Sequence, residues 1–261
     1  ISKLRKNCLK ERIDIQNEPY ENYIIQSSLK SFEMTCESLN FLLQNGSILN
    51  LIDKIKYMLN FKEDTSKDIF LSVFFENETS YFLISLLDLE ISEPKFNNSL
   101  VKAVLSVILN FIYYSNEIAA EFAERKLISE LIEHWGLFSN QIKCDAVKII
   151  SNLISVNEIK EIDLDFEKLF QICEYELFES DDCLIEEAVI HLLVVLSVRN
   201  DIVYDIDVKR ALYDFFYQMF NNEKVGLFSE SLLGIYYMAQ TESGCEIILD
   251  DEKNRVDYVV S

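Results

Sequence analysis

Chemistry by side chains needs particular residue types at particular spacings, and this chain offers few such sets. Its two histidines, His134 and His191, stand 57 residues apart, and neither lies near a cysteine at metal-ligand spacing. The sequence contains no GxSxG, HExxH or GxGxxG, and no GxxxxGK followed by Ser or Thr. Acid pairs such as Asp181-Asp182 and Glu186-Glu187 are frequent, but adjacent residues of a helix point to different sides and read as solvated charge. The sequence therefore predicts no catalytic residues, no metal ligands and no cofactor. His191, within the apolar string AVIHLLVV, has two readings: a core histidine or a residue of a binding face.

Cys8, Cys36, Cys144, Cys173, Cys183 and Cys245 form no CxxC pair, and most lie in apolar helical surroundings. This pattern predicts reduced, partly buried thiols and a cytoplasmic or nuclear protein. Asn45-Gly-Ser47, Asn77-Glu-Thr79 and Asn97-Asn-Ser99 match the glycosylation sequon, a match expected by chance in a chain rich in Asn and Ser. The longest apolar run, 188–198, is interrupted by His191 and Ser197. It falls far short of the roughly 20 residues of a membrane span. A start at Ile1 rather than Met points to a piece of a longer protein.

The elements that must position any site are helices. Five Gly and two Pro in 261 residues leave little material for hairpins or phosphate-cradling loops, while helices joined by polar turns need neither. Four segments are apolar nearly all round: LVKAVLSVILNFIYYSN (100–116), CDAVKIISNLISVN (144–157), EEAVIHLLVVLSVRN (186–200) and SESLLGIYYMAQ (229–240). Such helices must be covered on every side, so they are central. Val104, Ala146, Ala188 and Ser231 hold matching places in them, at spacings of 42, 42 and 43 residues. A period near 40 is the mark of stacked helical repeats. Between them the order recurs: a short segment (EIAAEFAERK, EIKEIDL, DIVYDID), a medium helix, then the long buried helix.

Residues 116–155, with Ser151-Asn152-Leu153 near the end of the third helix, resemble one complete armadillo repeat. The resemblance runs over 100–261 and more loosely over 30–99. The glycine that the family places between its first and second helices is replaced by Arg125 and Lys126. HEAT repeats, with two helices per unit, are the competing label, and the three-helix order favours armadillo. The implied fold is an all-α, right-handed solenoid of three-helix repeats in a single domain, 1–261. Its parts are an N-terminal helical cap (1–60), an irregular first repeat (61–115), regular repeats (116–157, 158–200, 201–240) and a partial repeat or cap (241–261).

In the armadillo family the third helices line a concave groove, and the nuclear-import adaptors carry there a Trp, an Asn four residues later and an acid about a turn earlier. By the resemblance, the Asn place falls on Asn110, Asn152, Val194 and Tyr237. The Trp place falls on Ser106, Lys148, Ile190 and Leu233, and the acid place on Ala103, Asp145, Glu187 and Glu230. The only Trp, Trp135, lies on a second helix, so the chain departs from the import adaptors. Asp and Glu near the start of these helices also suit the helix dipole, which offers a structural reading of the acid column. Asn110 and Asn152 need hydrogen-bond partners, from a neighbouring loop or from a ligand. Tyr113-Tyr114, Phe215-Phe216-Tyr217 and Tyr236-Tyr237 fit either packing between repeats or a binding surface.

With 45 acids against 24 bases the net charge is −21. That repels phosphate backbones, so nucleic acid is a poor direct partner, and it attracts basic segments while also keeping the chain soluble. The expected function is a protein-interaction module that binds a basic segment of a partner protein in the groove. Its groove set is Ser106, Asn110, Asp145, Lys148, Asn152, Glu187, His191, Val194, Glu230, Leu233 and Tyr237. The alternative is a scaffold or co-chaperone segment that uses its convex face or exposed ends, with end-to-end contacts or a larger assembly.

Overall fold

The computed structural model describes residues 71, 74–75, 78–92, 98–156, 159, 164–180, 182–203, 205–220 and 225–249. The chain divides into two compact units, residues 1–79 and 80–261, and nearly all described residues belong to the second. The sequence expectations for 1–60 and for 250–261 lie outside the described residues. Among those described, every regular element is helical and no strand occurs: α1 (Thr79–Ser92), α2 (Asn98–Tyr114), α3 (Asn116–Glu124), α4 (Leu127–Glu133), α5 (Asn140–Ser155), α6 (Phe166–Phe178), α7 (Cys183–Val198), α8 (Ile206–Phe220), α9 (Val225–Met238) and α10 (Glu242–Leu249). A single 3₁₀ turn, Trp135–Leu137, follows α4. No described helix is long and apolar enough to cross a membrane.

The four long apolar helices α2, α5, α7 and α9 pack side by side in chain order, and the second helices back them: α6 on α7, α8 on α9. Val104, Ala146, Val189 and Ser231 are all fully buried between them. Polar residues end the helices where the sequence places them. Ser115 begins α3 by accepting from the Ile118 amide. Asp165 and Asp182 begin α6 and α7 by accepting from the amides of Lys168 and Leu184, at 3.0 and 3.1 Å.

Two close approaches depend on glycine. A Cβ at Gly234 would sit 2.3 Å from the ring of the fully buried Phe216, so α9 and α8 meet only because the side chain is absent. A Cβ on Gly244 would lie 2.0 Å from the Met238 carbonyl, which lets α10 fold back at once after α9. At the turn between α3 and α4, Lys126 takes the left-handed conformation (φ 63°, ψ 27°) that favours glycine, at a cost of about 1 kcal/mol.

Residues 116–155 fold as α3, α4 and α5 in succession. In the repeat 201–240 the first-helix segment is a turn over residues 200–202, and regular structure resumes at Ile206. The physical reason is Arg199. Its buried guanidinium donates to the carbonyls of Ile154, Val156 (2.8 Å) and Ile159, and both oxygens of Asp201 accept from it at 2.8 Å. A side chain so held pins residues 199–203 in a tight turn where a short helix would otherwise start.

Candidate functional site

The exposed side of the stack can be read residue by residue. On α5 the exposed or half-exposed positions are Gln141, Cys144, Asp145, Lys148, Asn152 and Ser155; on α7 they are Leu184, Glu187, Ala188, His191, Val195 and Val198. Each α7 residue is 43 positions beyond its α5 counterpart, whereas α2 and α5 correspond at 42. A stagger repeats across the stack. Asn152 Nδ2 of α5 reaches the Tyr113 hydroxyl of α2 at 3.2 Å, a separation of 39 residues. His191 Nδ1 of α7 lies 3.8 Å from Glu230 Oε2 of α9, also 39 residues on. The packed spacings are therefore 42, 43 and 42.

This one-residue shift re-sorts the sequence-derived groove. Val194 is 4 % exposed and Ile190 is fully buried; neither can touch a ligand, and Val195 and His191 hold their places on the face. Glu187 aligns with Cys144, not with Asp145, so the acid column is Asp145, Ala188 and Glu230. The reading of these acids as first-turn residues serving the helix dipole does not fit their places. Asp145 and Glu230 are the sixth residues of α5 and α9, and Glu187 is the fifth of α7. His191 is settled as a surface residue, its side chain 62 % exposed.

A cleft of about 790 Å³ opens between α5 and α7, with Asp145, Lys148, Asn152, Glu187 and His191 from the sequence-derived set around it. Tyr113, Asn140, Gln141, Cys144, Ser151, Asp182 and Leu184 complete most of its wall. Three carboxylates, Asp145, Asp182 and Glu187, thus face one space. Asp182 is partly committed, since its Oδ2 accepts from Asn140 Nδ2 at 3.0 Å while Oδ1 starts α7. The Ser151 hydroxyl, in a residue only 4 % exposed, has no hydrogen-bond partner.

The asparagines spend their donors locally. Asn110 Nδ2 donates to the Ser106 carbonyl at 2.6 Å, and Asn152 Nδ2 to the Lys148 carbonyl at 2.7 Å. Both amides are thus tied to their own helices, and that of Asn152 to Tyr113 as well. Burial, with a further contribution from Asp182, pushes the Cys144 thiol above its ordinary value, which disfavours its thiolate. Ser106, Leu233 and Tyr237 lie on the same side of the stack outside the cleft, and Tyr237 rests against Tyr236 with ring centroids 5.6 Å apart.

Sequence reasoning missed two features. The first is the support beneath the cleft. Glu176, 1 % exposed, accepts from Trp135 Nε1 at 2.9 Å and from Lys143 Nζ at 2.6 Å. This ties the 3₁₀ turn, α5 and α6 together; nothing in the spacing of a Trp and a Glu 41 residues apart advertised it. The second is that His134, discounted as a ligand, lies with Glu130 and Asp88, all ligand atoms within 4.8 Å of one another. The His134–Glu130 pair, one turn apart on α4 at 3.5 Å, accounts for much of that approach without an ion.

No family model matches the chain, and no curated protein matches it. Solved structures do. A designed armadillo repeat protein in complex with the peptide (KR)4 matches with a TM-score of 0.63 at 14 % identity, over 87 % of this chain and 94 % of that one. Computationally designed armadillo repeat proteins for modular peptide recognition match with a TM-score of 0.61 at 14 % identity, over 85 % and 87 %. At this identity the likeness shows the fold: an all-α, armadillo-like repeat solenoid.

Proposed function

We propose that this chain is a non-catalytic protein-interaction module that holds an extended basic segment of a partner protein across α2, α5, α7 and α9, with the α5–α7 cleft as its anchor. The observation that carries this reading is the cleft itself. Asp145, Asp182 and Glu187 all line it, and Ser151 and Asn152 form part of its wall. A ligand that supplies positive charge and donors complements this cluster of carboxylates. The net charge of −21 steers such a segment inward. The likeness to designed proteins made for peptide recognition, one of them holding (KR)4, supports the same reading.

The test uses a labelled (KR)4 peptide and fluorescence anisotropy. Wild-type chain binds and loses affinity as salt rises, because exposed charge attraction is screened within about 8 Å at physiological ionic strength. The double substitution Asp145→Asn, Glu187→Gln weakens binding by about ten- to a hundredfold, on the order of 1.4 kcal/mol per decade. Equal affinity for wild type and double variant would remove the cleft from the binding site.

A further inference from the structure

The exposed face changes chemistry half-way along the stack. At three equivalent places α2 and α5 present Ser106 and Lys148, Asn110 and Asn152, Tyr113 and Ser155, while α7 presents His191, Val195 and Val198 and α9 presents Leu233 and Tyr237 at the first two. Leu233 is 37 % exposed and Val198 48 %, and Tyr236, beside Tyr237, is 60 % exposed. By the stagger that sets Asn152 against Tyr113, Tyr237 stands against Val198. The acidic cleft therefore borders an apolar strip on α7 and α9, and large exposed apolar side chains gathered on one face mark a contact surface.

We infer that the partner segment is bipartite: a basic residue seated in the α5–α7 cleft, and a large apolar or aromatic residue about three positions away, lying on Val198, Leu233 and Tyr237. This rests on the proposed function and specifies its ligand. Neighbouring helices lie about 8–10 Å apart, and an extended chain advances about 3.3 Å per residue, so one helix along the stack corresponds to about three residues of ligand. The carboxylate cluster on one side and the apolar side chains on the other set the direction in which the segment lies. Glu230, within ion-pair range of His191, closes the border between the halves.

The experiment compares labelled glycine-serine peptides by anisotropy. One carries a Lys-Arg pair alone. Others add Phe separated from the Arg by two residues, before or after it, or by six. One order at the two-residue gap is expected to bind about tenfold tighter than Lys-Arg alone, the worth of burying part of one aromatic side chain. Leu233→Ser with Tyr237→Ser, both on exposed or half-exposed positions, abolishes the gain that Phe gives over Lys-Arg alone when both peptides are measured on that variant. If Phe adds nothing at any gap while Lys-Arg binds, the bipartite ligand is wrong and the basic-segment reading stands. If no Lys-Arg peptide binds, the proposed function itself falls. If sedimentation shows that the wild type self-associates and the double serine variant does not, the strip belongs to a second copy of this chain and the inference is overturned.

Discussion

Replacing Arg199 by Ala removes the side chain that ties α5 to the turn before α8. Its guanidinium, in a residue 3 % exposed, donates to the carbonyls of Ile154, Val156 and Ile159. The Val156 carbonyl keeps the Ile159 amide as a partner, so the substitution orphans chiefly Ile154 and Ile159. At about 1–3 kcal/mol for each buried polar group left unpaired, and with the loss of the packed stem, the expected destabilisation is about 4 kcal/mol. With a urea dependence of about 3 kcal/mol per molar, the midpoint falls by about 1 M.

Trp135, the only tryptophan, provides the probe, since its fluorescence reports the repeat that contains α5, and far-UV circular dichroism follows the whole stack. Asp201→Asn serves as the control. The Asp201 side chain is 51 % exposed, and its loss costs less than about 1 kcal/mol. Hydrogen bonding to Arg199 holds the Asp201 carboxyl below its ordinary value. A depressed folded-state value means that its stabilisation is present above the ordinary carboxylate range and fades as pH falls below about 4. Asp201→Asn removes that acid-limb dependence. An Arg199→Ala midpoint no lower than that of Asp201→Asn would refute the argument, because the orphaned carbonyls would then be hydrated at no cost.

Other perturbations test the rest of the scheme. Glu176→Leu strands the Trp135 indole and the largely buried Lys143 ammonium, at an expected cost of about 3 kcal/mol; Glu176→Gln, which keeps an acceptor for the indole, costs less, as urea denaturation will show. Thiol labelling resolved by peptide mass mapping should modify exposed Cys183 faster than Cys144, because burial raises the Cys144 thiol. Cys173, fully buried with its thiol raised by burial and then by Glu176, should react only on unfolding. Gly234→Ala, which drives a methyl against the Phe216 ring, should lower thermal stability by about 1–3 kcal/mol without touching the α5–α7 cleft.

Much of the fold was legible from composition and period. Scarce Gly and Pro exclude most sheets, and four segments apolar on nearly every side, about 42 residues apart, can be covered only by one another. Asp145, Lys148 and Asn152 could be placed on one face because α5 mixes polar and apolar residues, so its own pattern shows which side meets solvent. The segment 201–207 was read as a short first helix, whereas residues 201–202 form a turn held by Arg199 contacts made 40–45 residues away, which no local pattern contains.

For α7 the sequence by itself determined that the helix is central and no more. Apolar residues occupy nearly every position from Ala188 to Leu196, so no stripe marks an outward side and the phase of the helix is undefined. Only packing against α5 and α9 decided it. That packing turned Ile190 and Val194 inward and brought His191 and Val195 to the face, a one-residue shift that rotates a helix by about 100°. It also brought Glu187 to the same cleft as Asp145 and Asp182. The charge of the groove was written in the sequence; the convergence of its carboxylates on one space was decided by how helices 43 residues apart stack.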